Sequence, residues 1–124
     1  MNRIIIWSNP RINDQYQADI ELRTGKVFYK TNTLNPPNFY ECFFLVPQER
    51  LYRFILNLHV LDSWQPYYGK GITIDGSYWS VKIIGDDERE IKGENGHPEG
   101  FGGFIIEVEN LLQKDFGSKQ FVGG

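Results

Sequence analysis

Phe101, Phe104, Ile105, Val108, Leu111 and Leu112 fall on one stripe of a helix, and Gly93-Glu94-Asn95-Gly96-His97-Pro98 leads into them. Upstream, Trp79, Val81 and Ile83 alternate with polar residues, as on a strand with one covered face. A half-buried strand joined by a turn to an amphipathic helix restricts the chain to layered folds in which helices lie on a sheet. Pro98 stands near the helix entry and Gly117 beyond its end, the usual asymmetry of helix termini. Gly100, Gly102 and Gly103 each cost a helix interior about 1 kcal/mol relative to alanine, so the helix is expected to begin near Gly103. Residues 117–124 are expected to fray.

The first half alternates with period two. Arg3 to Ser8 forms a short first strand, ended by Asn9 and Pro10, and Tyr16, Ala18, Ile20 and Leu22 alternate with Gln17, Asp19 and Glu21. Thr24-Gly25 turns this strand back into a third, from Lys26 to Thr31. Pro36 and Pro37 mark a rigid surface loop over residues 33–38, because proline gives no ladder hydrogen bond. From Phe39 to Val46 only Glu41 is charged, which predicts a central strand covered on both faces, with Cys42 buried in it. Pro47 then opens a helix whose stripe is Leu51, Phe54, Ile55, Leu58 and Leu61. Asp75-Gly76 and Gly85-Asp86-Asp87 turn three further strands into a meander.

These readings predict an α+β fold over residues 1–124 as a single domain, in the order ββββ-α-βββ-α. The two amphipathic helices pack on one face of an antiparallel sheet, and the other face is partly exposed or covered by a partner.

A chain of 124 residues can bury a sizeable core without staples. Thirteen basic and sixteen acidic side chains leave a net charge of −3, which lacks the positive field that nucleic-acid binding requires. The acidic residues cluster only between Asp86 and Glu90, as at a solvated hairpin tip. No apolar run is long enough for a membrane span, and a lone cysteine suits a reducing, cytoplasmic setting.

No catalytic, cofactor or metal-binding motif emerges. His59 lacks a second ligand one turn away. The glycines from Gly93 to Gly103 are not followed by the lysine and Ser/Thr of a phosphate loop. The carboxylates at Asp86, Asp87, Glu88 and Glu90 lack calcium-loop spacing. Trp64, Tyr67 and Tyr68 occupy a loop, where large amphipathic side chains serve either as partner contacts or as a plug at the end of the sheet. With Asn95 and His97 they make up the predicted ligand or partner contacts. A cleft near Trp64, Tyr68, Trp79, Asn95 and His97 would instead suit a small-molecule binder or an enzyme.

At Asp75-Gly76-x-x-Trp79, then Gly93-x-Asn95-x-x-Pro98 and an apolar helix, the chain resembles small bacterial α+β domains, over roughly residues 47–112. Some proteins of this appearance are similar to immunity proteins, which neutralise a neighbouring toxin. The resemblance implies fold first. The function it suggests is a non-enzymatic one, exercised through a protein partner or self-association.

Overall fold

A computed structural model describes residues 2–11, 13–34, 36–69 and 77–120. The chain is α+β, with one seven-stranded sheet. Four strands come first: β1 (Arg3–Arg11), β2 (Asp14–Glu21), β3 (Lys26–Leu34) and β4 (Pro37–Leu45). Helix α1 (Gln48–Asn57) tightens into a 3-10 turn over Leu58–Ser63. Then come β5 (Tyr67–Gly69), β6 (Tyr78–Ile84), β7 (Glu88–Glu94) and helix α2 (Phe101–Leu112). Across the sheet the strands run β4-β3-β2-β1-β6-β7-β5, and all neighbours are antiparallel except β5 and β7.

The period-two pattern works as expected in β1, β2 and β6. Ile4, Ile6, Ala18, Ile20, Trp79, Val81 and Ile91 point to one face and are fully buried, under the stripes of the two helices. Each of these isoleucine and valine side chains contributes about 1.5–3 kcal/mol through burial. On α1 and its 3-10 extension the buried positions are Leu51, Phe54, Leu58 and Leu61. Ile55, expected in that stripe, faces outward. On α2 the stripe is complete, and Phe54 meets Phe104 between the helices with ring centroids 6.5 Å apart. Arg50 of α1 donates through Nε to the Leu111 carbonyl at 3.1 Å, satisfying one of the open acceptors at the end of α2.

Several expectations are corrected. β1 continues through Asn9 and Pro10 to Arg11, with a register shift after Ser8 that absorbs the proline. The proline loop shrinks, and β4 begins at Pro37 itself. α2 begins at Phe101, two residues earlier than its glycines suggested, because Gly100 takes a left-handed φ of 86° as its N-cap and Gly102 is buried. Beyond α2, Glu109 Oε2 accepts the Phe116 and Ser118 amides at 2.8 and 3.2 Å, and Ser118–Gln120 forms a 3-10 turn where fraying was expected. The strand expected over residues 72–75 and the turn at Asp75 and Gly76 lie outside the described residues.

The largest correction concerns β4. Predicted as a central strand covered on both faces, it is the edge strand, and Phe39, Phe43 and Leu45 are 65%, 81% and 66% exposed. Cys42, expected to be buried, is only partly so. A run of apolar residues arises from two-sided burial or from one covered and one bare apolar face, and β4 is nearer the second, with Cys42 and Phe44 half-buried on the helix side.

Candidate functional site

The predicted contact residues converge on the β5–β6–β7 end of the sheet, where they build a plug. Trp64 follows the 3-10 turn and is 5% exposed. Its ring stands edge-on to Trp79 and Phe104, with centroids 5.9 and 5.4 Å away. Trp79, fully buried on β6, lies 4.5 Å from Phe101 and 6.2 Å from Tyr68. The Trp79 indole N–H donates to the Gly96 carbonyl at 2.9 Å, which fixes the turn before α2. Asn95 holds that turn with a φ of 58° and donates its amide to the Ser77 carbonyl. His97 stacks on Phe101 at 5.3 Å.

Arg89 closes the plug from β7, donating to the carbonyls of Leu61 and Trp64 at 3.0 and 2.9 Å. The Tyr68 hydroxyl accepts the Gln65 amide at 2.8 Å, and Tyr67 alone of the three loop aromatics stands out as an exposed ring. Thus Trp64, Tyr68, Trp79, Asn95 and His97 are brought together as the structure of a turn and a ring cluster. The mutual ring contacts occupy the space that a cleft would need.

The opposite end of the sheet has a different character. On the uncovered face, strands β1, β2, β6 and β7 carry charged residues, with ion pairs Arg3–Asp19 at 3.1 Å, Lys82–Glu88 at 3.5 Å and Lys92–Glu90 at 3.9 Å. Towards β3 and β4 the same face turns apolar. Phe28 and Phe43 face each other across the ladder with ring centroids 4.8 Å apart, Phe39 and Leu45 flank them, and Lys30 lies 5.7 Å over the Phe39 ring. A shallow hollow of about 420 Å³ opens there, lined in part by Arg3, Asp19, Phe28, Phe43 and Leu45.

The backbone of β4 adds a second property. Val46 donates its amide to Gly25 at 3.0 Å, and hydrogen-bonded and non-bonded pairs alternate along an antiparallel ladder. Phe44, Cys42 and Tyr40 therefore bond inward to β3, while Phe39, Glu41, Phe43 and Leu45 turn their amides and carbonyls outward. Pro37 belongs to the outward set, so its missing N–H costs the β3–β4 ladder nothing. An open edge of this kind is a template for another strand. The other edge of the sheet ends instead in β5, a parallel strand of three residues.

On the helix side of β4, Lys114 sits 5.3 Å from the Tyr40 and Phe44 rings and 5.8 Å from that of Tyr29, so that side is occupied by the chain itself. His59 lies on the helix surface, with Nδ1 2.9 Å from the Leu56 carbonyl. Among the described residues, no three or more of His, Cys, Asp and Glu cluster as a metal site, and no helix is long and apolar enough to cross a membrane.

Residues Phe28, Phe39, Phe43 and Leu45 were missed as surface by sequence reasoning. The available signal was weak: Pro37 opens the strand, and proline is tolerated at a sheet edge, at a first residue or at a bulge, as Pro10 is in β1. No protein-family model, curated protein or solved structure matches this chain.

Proposed function

We propose that this chain is a bacterial, cytoplasmic, non-enzymatic domain that works through protein contacts made at the β3–β4 end of its sheet. One observation carries the reading: Phe39, Phe43 and Leu45 are bare together beside backbone groups that no described strand pairs. Keeping these large side chains in water forgoes burial free energy that a partner surface would recover. An acidic, immunity-type inhibitor of a neighbouring toxin is the finer form of this proposal, supported by the net charge of −3 and by the turn and packing pattern around Trp79 and Pro98.

Small-molecule binding near Trp64, Trp79, Asn95 and His97 draws less support, since those rings are spent on one another. Co-expression with a toxin encoded beside this gene tests the proposal: growth is rescued by the wild type and lost with Phe43→Lys. Rescue that ignores Phe43→Lys, or a metabolite retained in native mass spectrometry and released by Trp64→Ala, would overturn it.

A further inference from the structure

The free edge is self-complementary. Pro37 and Pro47 bound the stretch that can pair, and Cys42 stands midway between them. Between the prolines the edge has no lysine, proline or other residue that blunts strand addition, and Glu41 is its one charge. We infer that β4 pairs antiparallel with β4 of a second copy about a two-fold axis at Cys42, joining two sheets into one continuous layer. The inference rests on the proposal that this end of the sheet is a protein-contact surface, and it names the occupant.

An axis perpendicular to the sheet keeps both helical layers on the same side, so facing residues share a face and the centre must fall on a residue. Of the five centres from Tyr40 to Phe44, Cys42 alone keeps Phe39, Glu41, Phe43 and Leu45 all clear of Pro37 and Pro47 of the other copy. An axis at Glu41 sets two carboxylates directly opposite, which is destabilising. An axis at Phe43 runs Phe39 into Pro47 of the other copy and shortens the ladder.

At Cys42, Phe39 faces Leu45 and Glu41 faces Phe43 on the uncovered side, while Tyr40 faces Phe44 on the helix side. All four outward residues of each copy then meet outward residues of the other, giving roughly eight backbone hydrogen bonds at two per facing pair. The exposed parts of Phe39, Tyr40, Phe43 and Leu45 amount to about 500 Å² per copy. Strand pairing buries the flanks of these side chains and leaves their outer faces in water, so the interface lies at the small end of the specific range, about 1,000 Å² in total or less. Since the other sheet edge ends in the short β5, assembly stops at two.

Sedimentation velocity over a concentration series, with disulfide trapping by copper phenanthroline, tests the pairing. Facing Cys42 residues in a non-hydrogen-bonded pair have Cα atoms about 4.5 Å apart, within the range a disulfide spans. Wild type is expected to sediment as a dimer and to cross-link through Cys42. Phe43→Lys is expected to weaken the dimer by at least about tenfold, with unchanged circular dichroism as the check on folding. A Cys42→Ser/Tyr40→Cys variant is expected to dimerise without cross-linking, because the Tyr40 positions lie far apart in this register.

A wild type that stays monomeric overturns the inference, as does a dimer indifferent to Phe43→Lys. Cross-linking at Tyr40→Cys but not at Cys42 overturns the register. A monomer whose toxin rescue still depends on Phe43 would sink the dimer and leave the protein-contact reading standing.

Discussion

Trp79 and Gly96 are joined by the indole N–H of the one and the carbonyl oxygen of the other at 2.9 Å, in a buried setting. Trp79→Phe should keep most of the ring packing and strand the Gly96 acceptor, costing about 1–3 kcal/mol. Trp79→Ala should cost about 3–5 kcal/mol through the lost ring. Urea unfolding of the two variants separates them, and a Trp79→Phe variant as stable as the wild type would show that the hydrogen bond contributes nothing beyond packing.

Gly93 on β7 lies against the same pair. A Cβ there would run into the Trp79 indole nitrogen and the Gly96 carbonyl, well inside van der Waals contact. Gly93→Ala should therefore destabilise by about 1–3 kcal/mol through overpacking. Gly103→Ala meets nothing within 4 Å and lies inside α2, so it should stabilise by up to about 1 kcal/mol. Melting temperatures that move in the same direction for both would contradict this account.

Glu109 anchors the chain beyond α2 by accepting the Phe116 and Ser118 amides through Oε2. Glu109→Ala should release both amides and leave the rest of the sheet intact. Hydrogen exchange is the measurement: protection should fall at Phe116 and Ser118 while that at Ile6 and Val81 is kept.

Tyr16 and Tyr29 set an alkaline limit. Burial, helped by the Asp115 charge, raises Tyr16, and burial pushes Tyr29 up to about 12, with the nearby Thr31 hydroxyl opposing it and the Asp115 charge adding to it. Both phenols are thus held protonated in the folded state above the value of about 10 for an exposed tyrosine. The folded chain binds more protons than the unfolded one in that range, so this stability is complete below about pH 10 and is lost as pH rises through about 12. Denaturation midpoints should be insensitive to these groups near neutrality and fall between about pH 10 and 12. The fall should be shallower in Tyr29→Phe. That substitution also removes the hydrogen bond to the Asp115 carbonyl at 2.6 Å, so its midpoint near neutrality should drop.

The α+β class and the element order were legible because they rest on periodicity, which Ile4, Ala18, Val81 and the α2 stripe obey strictly. What escaped had no local signal of the right kind. Phe39, Phe43 and Leu45 form the same apolar string whether a neighbouring strand lies beyond them or not, and strand order is set by non-local pairing. For Trp64 the loop around it left partner contact and sheet-end plug both open, and the choice depends on Trp79 and Phe104, which arrive later in the chain. β5 escaped because three residues are too short to show a period. The reach of α2 to Phe101 was hidden by glycines whose local penalty is offset by burial of Phe101 and Gly102.

β1 lies fourth of seven in the sheet, with β2 on one side and β6 on the other, so Arg3 finds partners in both Glu21 and Ile84. As the polypeptide leaves the ribosome, β1 to β4 can associate early through local hairpins. β1 keeps a bare flank until Tyr78–Ile84 has been made. The nascent chain thus passes through a stage with two unguarded margins, β1 and β4, and the late arrival of β6 closes the inner one.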